Sequence, residues 1–492
     1  MSPRTYKIAL LALAIALLVG VGFTQSHLNR DRTAMGLTRI QPLENAPPVL
    51  AFTTVALGGF RGLIANALWV RMMDLQDSDK YFEMVQLADW ITKLQPHLTT
   101  VWIVQAWNMA YNISVKFKES APGQFPDRWR WVQAGIELLR DQALRYNPKE
   151  PLLYRELAGF FFHKIGQDLD DAHFYYKKQW IDAMTTVLGG GRPNWDELLR
   201  PQTAEAKHRV QVLEQTYKLD PREMKRVDDT YGPLDWRLPE TQAIYWAMLG
   251  MEKSTGDLMP LRRMIYQAMQ LAFQRGRLIV AKDAHTLMFA PNLDIIPKVN
   301  ESYEVMLKQE QMEKENIRNA HKNFLKDAVY FLYEHNRLAE AAYWFKYLCK
   351  RFPTSPLLYA DNKSLPGTLT LDEYALRRVT EDVSETSHTR VTSAIEGPIQ
   401  QSYLALAMGS DADAENFMLF ARRVYQNFEA KIPTKAEVRV GMPKFKDLQN
   451  EVLTRLLDPR QSPLGPELMA VLRTRLDLPT PTNAPPTTAA PR

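Results

Sequence analysis

Cysteine is almost missing from this chain: one, Cys349, in 492 residues. No intramolecular disulfide can form, and no cysteine-based metal site can be assembled. Cys349 sits in Trp344-Phe345-Lys346-Tyr347-Leu348-Cys349, an amphipathic helical pattern, and reads as a small buried hydrophobe rather than a nucleophile. Strand signals are nearly as scarce, since period-two runs of β-branched residues with Asn-Gly turns hardly occur. Catalytic signatures are lacking too. There is no Gly-x-Ser-x-Gly elbow. Gly58-Gly59-Phe60-Arg61-Gly62 and Gly189-Gly190-Gly191 are glycine-rich, but neither follows a strand or carries Gly-Lys-Ser/Thr, so neither is a phosphate loop. The first reads as the flexible start of a helix, the second as a helix terminator. A dominant charge is also absent. The net charge is +5, spread over scattered pairs such as Lys177-Lys178, Arg262-Arg263, Arg377-Arg378 and Arg422-Arg423. Nucleic-acid binding would need a basic stripe with aromatic platforms, so that class is set aside.

What is present is ordinary globular composition, 46% hydrophobic and 24% charged, which excludes disordered and fibrous classes for most of the length. The length suits two to four domains rather than one core. At the N-terminus, Arg4 and Lys7 precede an uncharged run with an apolar centre at residues 8–23. A membrane-spanning helix takes roughly 20 apolar residues. A cleaved signal has a core of about 7–15 and then a small-x-small site. Gly22-Phe23-Thr24-Gln25-Ser26-His27 offers no convincing site, so the segment is expected to be an uncleaved signal anchor. Basic residues ahead of it keep the N-terminus inside and place the rest outside. An exported chain without disulfides suits a bacterial periplasm. The expected location is therefore the bacterial inner membrane, single-pass, with the bulk of the chain periplasmic.

Beyond the anchor the pattern is helical. Phe60, Leu63, Ile64, Ala67, Leu68 and Met72 recur at three and four residues and predict one apolar face. Asp77-Ser78-Asp79 marks a turn, and Tyr81, Val85, Ala88 and Ile91 predict the second face of a hairpin. Three stretches then share a pattern of aromatic, small residue and closing proline. They are Pro96 with Trp102 and Ala106; Pro148 with Tyr154, Leu157, Ala158 and Phe161; and Phe324, Ala328, Val329, Leu332, Ala341, Phe345 and Pro353, with Tyr359 beyond. Small residues let two helices approach, aromatics fill the gap to the next pair, and proline ends the second helix. In this the chain resembles tetratricopeptide repeats, over about half its length. The departures are an added loop at residues 121–126 and alanine where the first helix of the family's unit carries glycine. The resemblance implies an all-α fold, a tetratricopeptide-like helical-hairpin solenoid after an N-terminal transmembrane helix. It also implies protein binding.

The organisation expected is a signal anchor (1–30), a Pro-containing tether (31–50), helical repeat block I (51–188), irregular loops and helices (189–300), helical repeat block II (301–430), C-terminal helices (431–476) and a disordered Pro/Thr tail (477–492). A connecting helix over residues 302–322, with Gln309, Glu310, Glu313 and Glu315 exposed, leads into the second block.

Two constellations could carry chemistry. His163 and His173 flank Asp168, Asp170 and Asp171, donors a divalent metal could use, but the spacing matches no known site. The expectation is a turn with Asp168 or Asp170 capping the helix that holds His173, and no metal or other cofactor. The second is a long irregular segment at residues 228–240. It places Asp228, Asp229, Asp235 and Glu240 beside Tyr231 and Trp236. Aromatic platforms with paired acids are what glycan-processing clefts use. The reading is a non-enzymatic, membrane-tethered periplasmic scaffold or adaptor binding an envelope protein or peptide in a helical groove. Trp102, Tyr154, Tyr231 and Trp236 are the candidate partner contacts. The alternative is a glycan-binding or glycan-processing enzyme using Asp228, Asp235 and Glu240. Exposure separates the two: an open cleft lined by Asp235, Trp236 and Glu240 would favour the enzyme.

Overall fold

The computed structural model describes residues 3–34, 61–280, 287–309, 314–358, 361–381, 387–431, 443–459, 462 and 464–479. Outside them lie most of the expected tether, residues 58–60, Glu310, Glu313, Tyr359 and the tail from residue 480 onward. The described chain is mostly helical, as the three-and-four spacing requires. It divides into two compact units, Met1–Pro96 and His97–Arg492.

The first unit holds α1 (Pro3–Ala34), α2 (Arg61–Asp77) and α3 (Tyr81–Leu94). α1 continues to Ala34. Leu13, Ile15, Leu17, Val19, Val21 and Phe23 stand exposed along it. Among the described residues no helix is long and apolar enough to cross a membrane. The side chains of residues 3–11 and of Leu18, part of the apolar run, are outside that set. α2 and α3 pair as a hairpin across a turn where Asp79 takes a positive φ of 55°, a conformation Asp tolerates better than most residues. Its interior is Ala65, Met72 and Leu75 on α2 and Met84, Ala88 and Ile91 on α3. The face expected to be buried on α2 is thus partly wrong. Met72 is inside, whereas Leu63, Ile64 and Ala67 are exposed, because α2 is apolar on more than one side and the partner covers only one.

The second unit begins with α4 (Thr99–Trp107), α5 (Pro126–Glu137) and α6 (Pro151–Gly159), each prolonged by a π-helical turn: Asn108–Ile113, Leu138–Ala143 and Phe160–Gly166. It continues through α7 (His173–Leu188), α8 (Trp195–Leu199), α9 (Ala204–Val212), α10 (Pro221–Tyr231), α11 (Pro239–Lys253) and α12 (Met259–Arg275). Proline opens α5, α6, α10 and α11 at the first turn, where its missing N–H costs nothing and its fixed φ suits the helix. After α12 come strands β1 (Arg277–Val280) and β2 (Leu287–Ala290), antiparallel with Arg277 opposite Ala290 and Val280 opposite Leu287. Among the described residues these two short strands are the only ones, in keeping with the expected scarcity of strand. Four-residue apolar strands are too short to show alternation in sequence.

Next are α13 (Ile296–Gln309), α14 (Lys314–Glu334), α15 (Leu338–Arg351), α16 (Leu371–Glu381), α17 (Ser387–Ala407), α18 (Asp411–Lys431), α19 (Phe445–Leu457) and α20 (Pro466–Arg475). The segment expected as one connecting helix is therefore the end of α13 and the start of α14, with residues 310–313 outside the described set.

Helices pack mainly on sequence neighbours: α11 on α12, α13 on α14, α14 on α15, α17 on α18. Among the described residues the most extensive packing between helices distant in sequence is α6 against α11. That crossing is close because Gly250 has no side chain. A Cβ there would lie 2.5 Å from the Cβ of Tyr154, so only glycine lets the two backbones meet. One continuous apolar cluster runs through this unit, from Trp102 in α4 to Leu472 in α20.

Candidate functional site

Residues 228–240 are not an irregular loop. Asp220 accepts a hydrogen bond from the Arg222 N–H at 2.8 Å, and Pro221 starts α10, which carries Asp228, Asp229 and Tyr231 within it. Pro239 and Glu240 form the first turn of α11. The seven residues between are fixed by side chains. Asp228 Oδ1 accepts from the Leu234 N–H at 2.9 Å and from Trp236 Nε1 at 3.1 Å. Asp235 takes Arg237 in a two-pronged ion pair, at 2.9 and 2.6 Å. The Trp236 N–H donates to the Gly191 carbonyl at 2.8 Å. A Cβ at Gly191 would collide with the Asp235 carboxylate, which the ion pair with Arg237 holds in place. Trp236 is fully buried, edge-on to Trp195 and Tyr245.

Asp235, Trp236 and Glu240 therefore do not line an open cleft. Glu240 is 2% exposed and its Oε1 has no hydrogen-bond partner. Burial pushes its carboxyl up to about 7, against the pull of Arg275. The candidate acids hold the α10–α11 connection together: Asp228 and Asp235 are spent on backbone, indole and guanidinium donors. Trp102 and Tyr154 are also core residues, each 3% exposed. Tyr154 donates its hydroxyl to the Pro148 carbonyl at 3.0 Å. As partner contacts Trp102, Tyr154 and Trp236 are thus corrected. Their neighbours in the helical core cover nearly all of their large apolar area.

The histidine–aspartate stretch is a pair of ion networks. Asp170, 8% exposed at its side chain, faces Lys164 and Arg128. Burial would raise its pKa, but Lys164 and the Ala172 N–H hold it below the usual carboxylate range. Lys164 also lies 4.8 Å above the Tyr111 ring. Asp168 meets Lys177 at 2.6 Å and His173 at 3.1 Å. Burial lowers the pKa of both Lys177 and His173. Neither aspartate caps α7, whose N-cap is Ala172 without a side-chain bond. Asp170 instead accepts from the Ala172 N–H at 2.9 Å, because its carboxylate is drawn inward to two buried cations. His163 is on the π turn of α6 and His173 opens α7. Among the described residues no group of three or more His, Cys, Asp or Glu is placed to hold a metal ion.

One sequence candidate, Tyr231, does reach a concavity. The C-terminal end of α10 and the sides of α11, α12 and α13 enclose about 460 Å³. Its apolar surface comes from Tyr231, Met251, Ile265, Tyr266, Val305 and Met306, and its rim carries Asp229, Arg262, Lys298 and Glu301. Tyr231 and Tyr266 are half-buried, Ile265 and Met306 buried, and Val305 is 41% exposed. Burial raises the Tyr231 hydroxyl above its ordinary pKa, so it is a neutral hydroxyl on an aromatic wall. Asp229 is paired with Lys225, and Lys298 approaches Glu301 at 3.9 Å. The groove thus offers apolar area with two flexible thioethers, framed by charges of both signs. Sequence reasoning passed over Tyr266, Val305 and Met306. The available signal was adjacency: Ile265-Tyr266 and Val305-Met306 are apolar pairs, and a helix can turn only one member of each fully inward.

No protein-family model matches the chain, and no curated protein or solved structure matches it.

Proposed function

We propose that this chain is a scaffold or adaptor tethered to the bacterial inner membrane by its N-terminal helix, its bulk periplasmic. In this reading the helices form a tetratricopeptide-like solenoid, and the α10–α13 groove takes an amphipathic helix of another envelope protein or peptide. The observation that carries it is the groove itself. Helix-in-groove recognition uses an apolar trough that accepts residues at i, i+3/i+4 and i+7. Methionine walls adapt to such a ligand, and Met251 and Met306 supply them here beside two tyrosines. The tetratricopeptide reading is supported by packing mostly between consecutive helices and by the aromatic–small–proline pattern. The tether reading rests on Arg4, Lys7 and the apolar run. Fold alone does not fix function, so the groove must be tested as a surface.

The test places a photo-crosslinking residue at Thr230 or Gln309, two lining positions on different helices, in the full chain in intact cells. One partner should be captured from both positions. It should be lost in Val305→Asp, which charges an exposed wall residue and should change folding stability by no more than about 0.5 kcal/mol. Capture that persists unchanged in Val305→Asp would place the partner elsewhere and end the groove reading.

A further inference from the structure

A polar cavity of about 230 Å³ in the second unit draws its lining from four separate stretches. Arg277 comes from the start of β1, Asp294 and Asn292 from the segment after β2, His335 and Arg337 from the α14–α15 turn, and Asp413 and Asn416 from α18. Ion pairs hold the walls. Arg277 Nη2 donates to both carboxylate oxygens of Asp413, at 2.9 and 3.0 Å. Arg337 Nη1 donates to Asp294 at 2.8 Å, and its other two nitrogens go to Glu340. The two arginines and two aspartates cancel, so the lining carries no net charge. Certain polar ends are left over. His335 is 7% exposed, and its Nδ1 meets the Phe331 carbonyl at 2.9 Å. A carbonyl only accepts, so Nδ1 carries the proton. Burial lowers the pKa of this ring, which keeps the imidazole neutral and makes Nε2 an acceptor. That nitrogen is buried and has no partner. Arg277 is 43% exposed at its side chain. Among the described residues its Nε and Nη1, and the Asn416 amide, make no hydrogen bond.

We propose that this cavity binds a free α-amino acid, with its carboxylate on Arg277 and Asn416 and its ammonium on His335 Nε2 and the aspartates. A guanidinium with uncommitted N–H groups is suited to a carboxylate. A buried acceptor without a partner calls for a donor. A zwitterion supplies both and adds no net charge to a neutral lining, which a plain anion or a plain amine would do. Size agrees. The volume is far above the roughly 10–15 Å³ that one water needs and below the about 300–1,000 Å³ of pockets for drug-sized ligands. A metal ion does not suit the site. Among the described residues no three His, Cys, Asp or Glu are placed to hold one, and Arg277 and Arg337 would repel it. The inference stands apart from the groove and tether readings, because none of these residues belongs to either.

The full chain, purified in detergent, is titrated by calorimetry with each of the standard L-amino acids. Acetate and methylamine, which each carry half of the proposed ligand, serve as comparison probes. At least one amino acid should bind saturably, with a dissociation constant of about 1 mM or lower. Acetate and methylamine should each bind at least about tenfold more weakly, since each forgoes one set of charged hydrogen bonds. Asn416→Asp keeps the shape, breaks no bond in the fold and sets a negative charge near the ligand carboxylate. It should weaken binding about tenfold, as should Arg277→Gln. Arg277→Gln also strips Asp413 of its partner, so circular dichroism melts are recorded for both variants, and Asn416→Asp decides alone if Arg277→Gln does not fold. Three results would each overturn the proposal: no saturable heat from any amino acid at about 10 mM, acetate or methylamine binding as tightly as the best amino acid, or an affinity unchanged in Asn416→Asp.

Discussion

Replacing Glu240 by glutamine tests the energetic reading of the α10–α11 junction most directly. The carboxyl is almost fully buried, Oε1 lacks a partner, and burial lifts its pKa from 4.5 to about 7. Lys177, Arg275 and Asp235 face it, and the two cations fail to offset the desolvation. A carboxyl that binds its proton more tightly when folded stabilises the fold below its unfolded pKa, and that contribution is lost as pH rises through the folded value. The window is therefore pH 4.5 to 7, with the wild type losing stability upward. One pKa unit corresponds to about 1.4 kcal/mol, so the loss attributable to this group is on the order of 3 kcal/mol at pH 8. Glutamine keeps the shape and never ionises. The variant should match the wild type near pH 4.5 and exceed it at pH 8. With an unfolding entropy of roughly 2 cal/mol/K per residue, and about 400 residues in the second unit, the gain in Tm is about 3–4 °C. Glu334, raised by burial to about 7 as well, adds its own slope to both proteins and cancels in the comparison. Circular dichroism at 222 nm, followed through thermal unfolding at half-unit pH steps, gives the two curves. If they run parallel from pH 5 to 8, Glu240 is not a strained carboxylate and the account of this junction is wrong.

Two further outcomes follow from the same packing. Trp236→Ala removes a fully buried indole and leaves Asp228 without one of its donors; urea titration should show a loss of roughly 3–5 kcal/mol, and a change under 1 kcal/mol would contradict the burial. Asp170→Asn leaves Lys164, 3% exposed at its side chain, and Arg128 facing a neutral amide, at a cost of about 3–5 kcal/mol at pH 7. Because the folded pKa of Asp170 is lowered, the difference from wild type should be full above pH 4 and shrink as pH falls through the folded value; a difference that grows in acid would refute the ion network.

The sequence by itself determined the helical class. Three-and-four spacing of apolar residues, proline at first turns and the near absence of strand patterns follow from local geometry and are written in consecutive residues. It also marked the turn at Asp77-Ser78-Asp79 and the amphipathic setting of Cys349. Tertiary structure alone decided which faces are inside. α2 is apolar on two sides, and only contact with α3 shows that Met72 is covered while Leu63 is not. Trp102, Tyr154 and Trp236 have the composition of a binding surface, but area and neighbours put them in the core. Asp228 and Asp235 look like a catalytic pair in sequence and prove to be ligands for an indole, a backbone amide and a guanidinium, because their partners fold back onto them. The groove beside Tyr231 draws its walls from four helices spread over about 80 residues. No local pattern encodes such a site, since it exists only where α10, α11, α12 and α13 pack side by side.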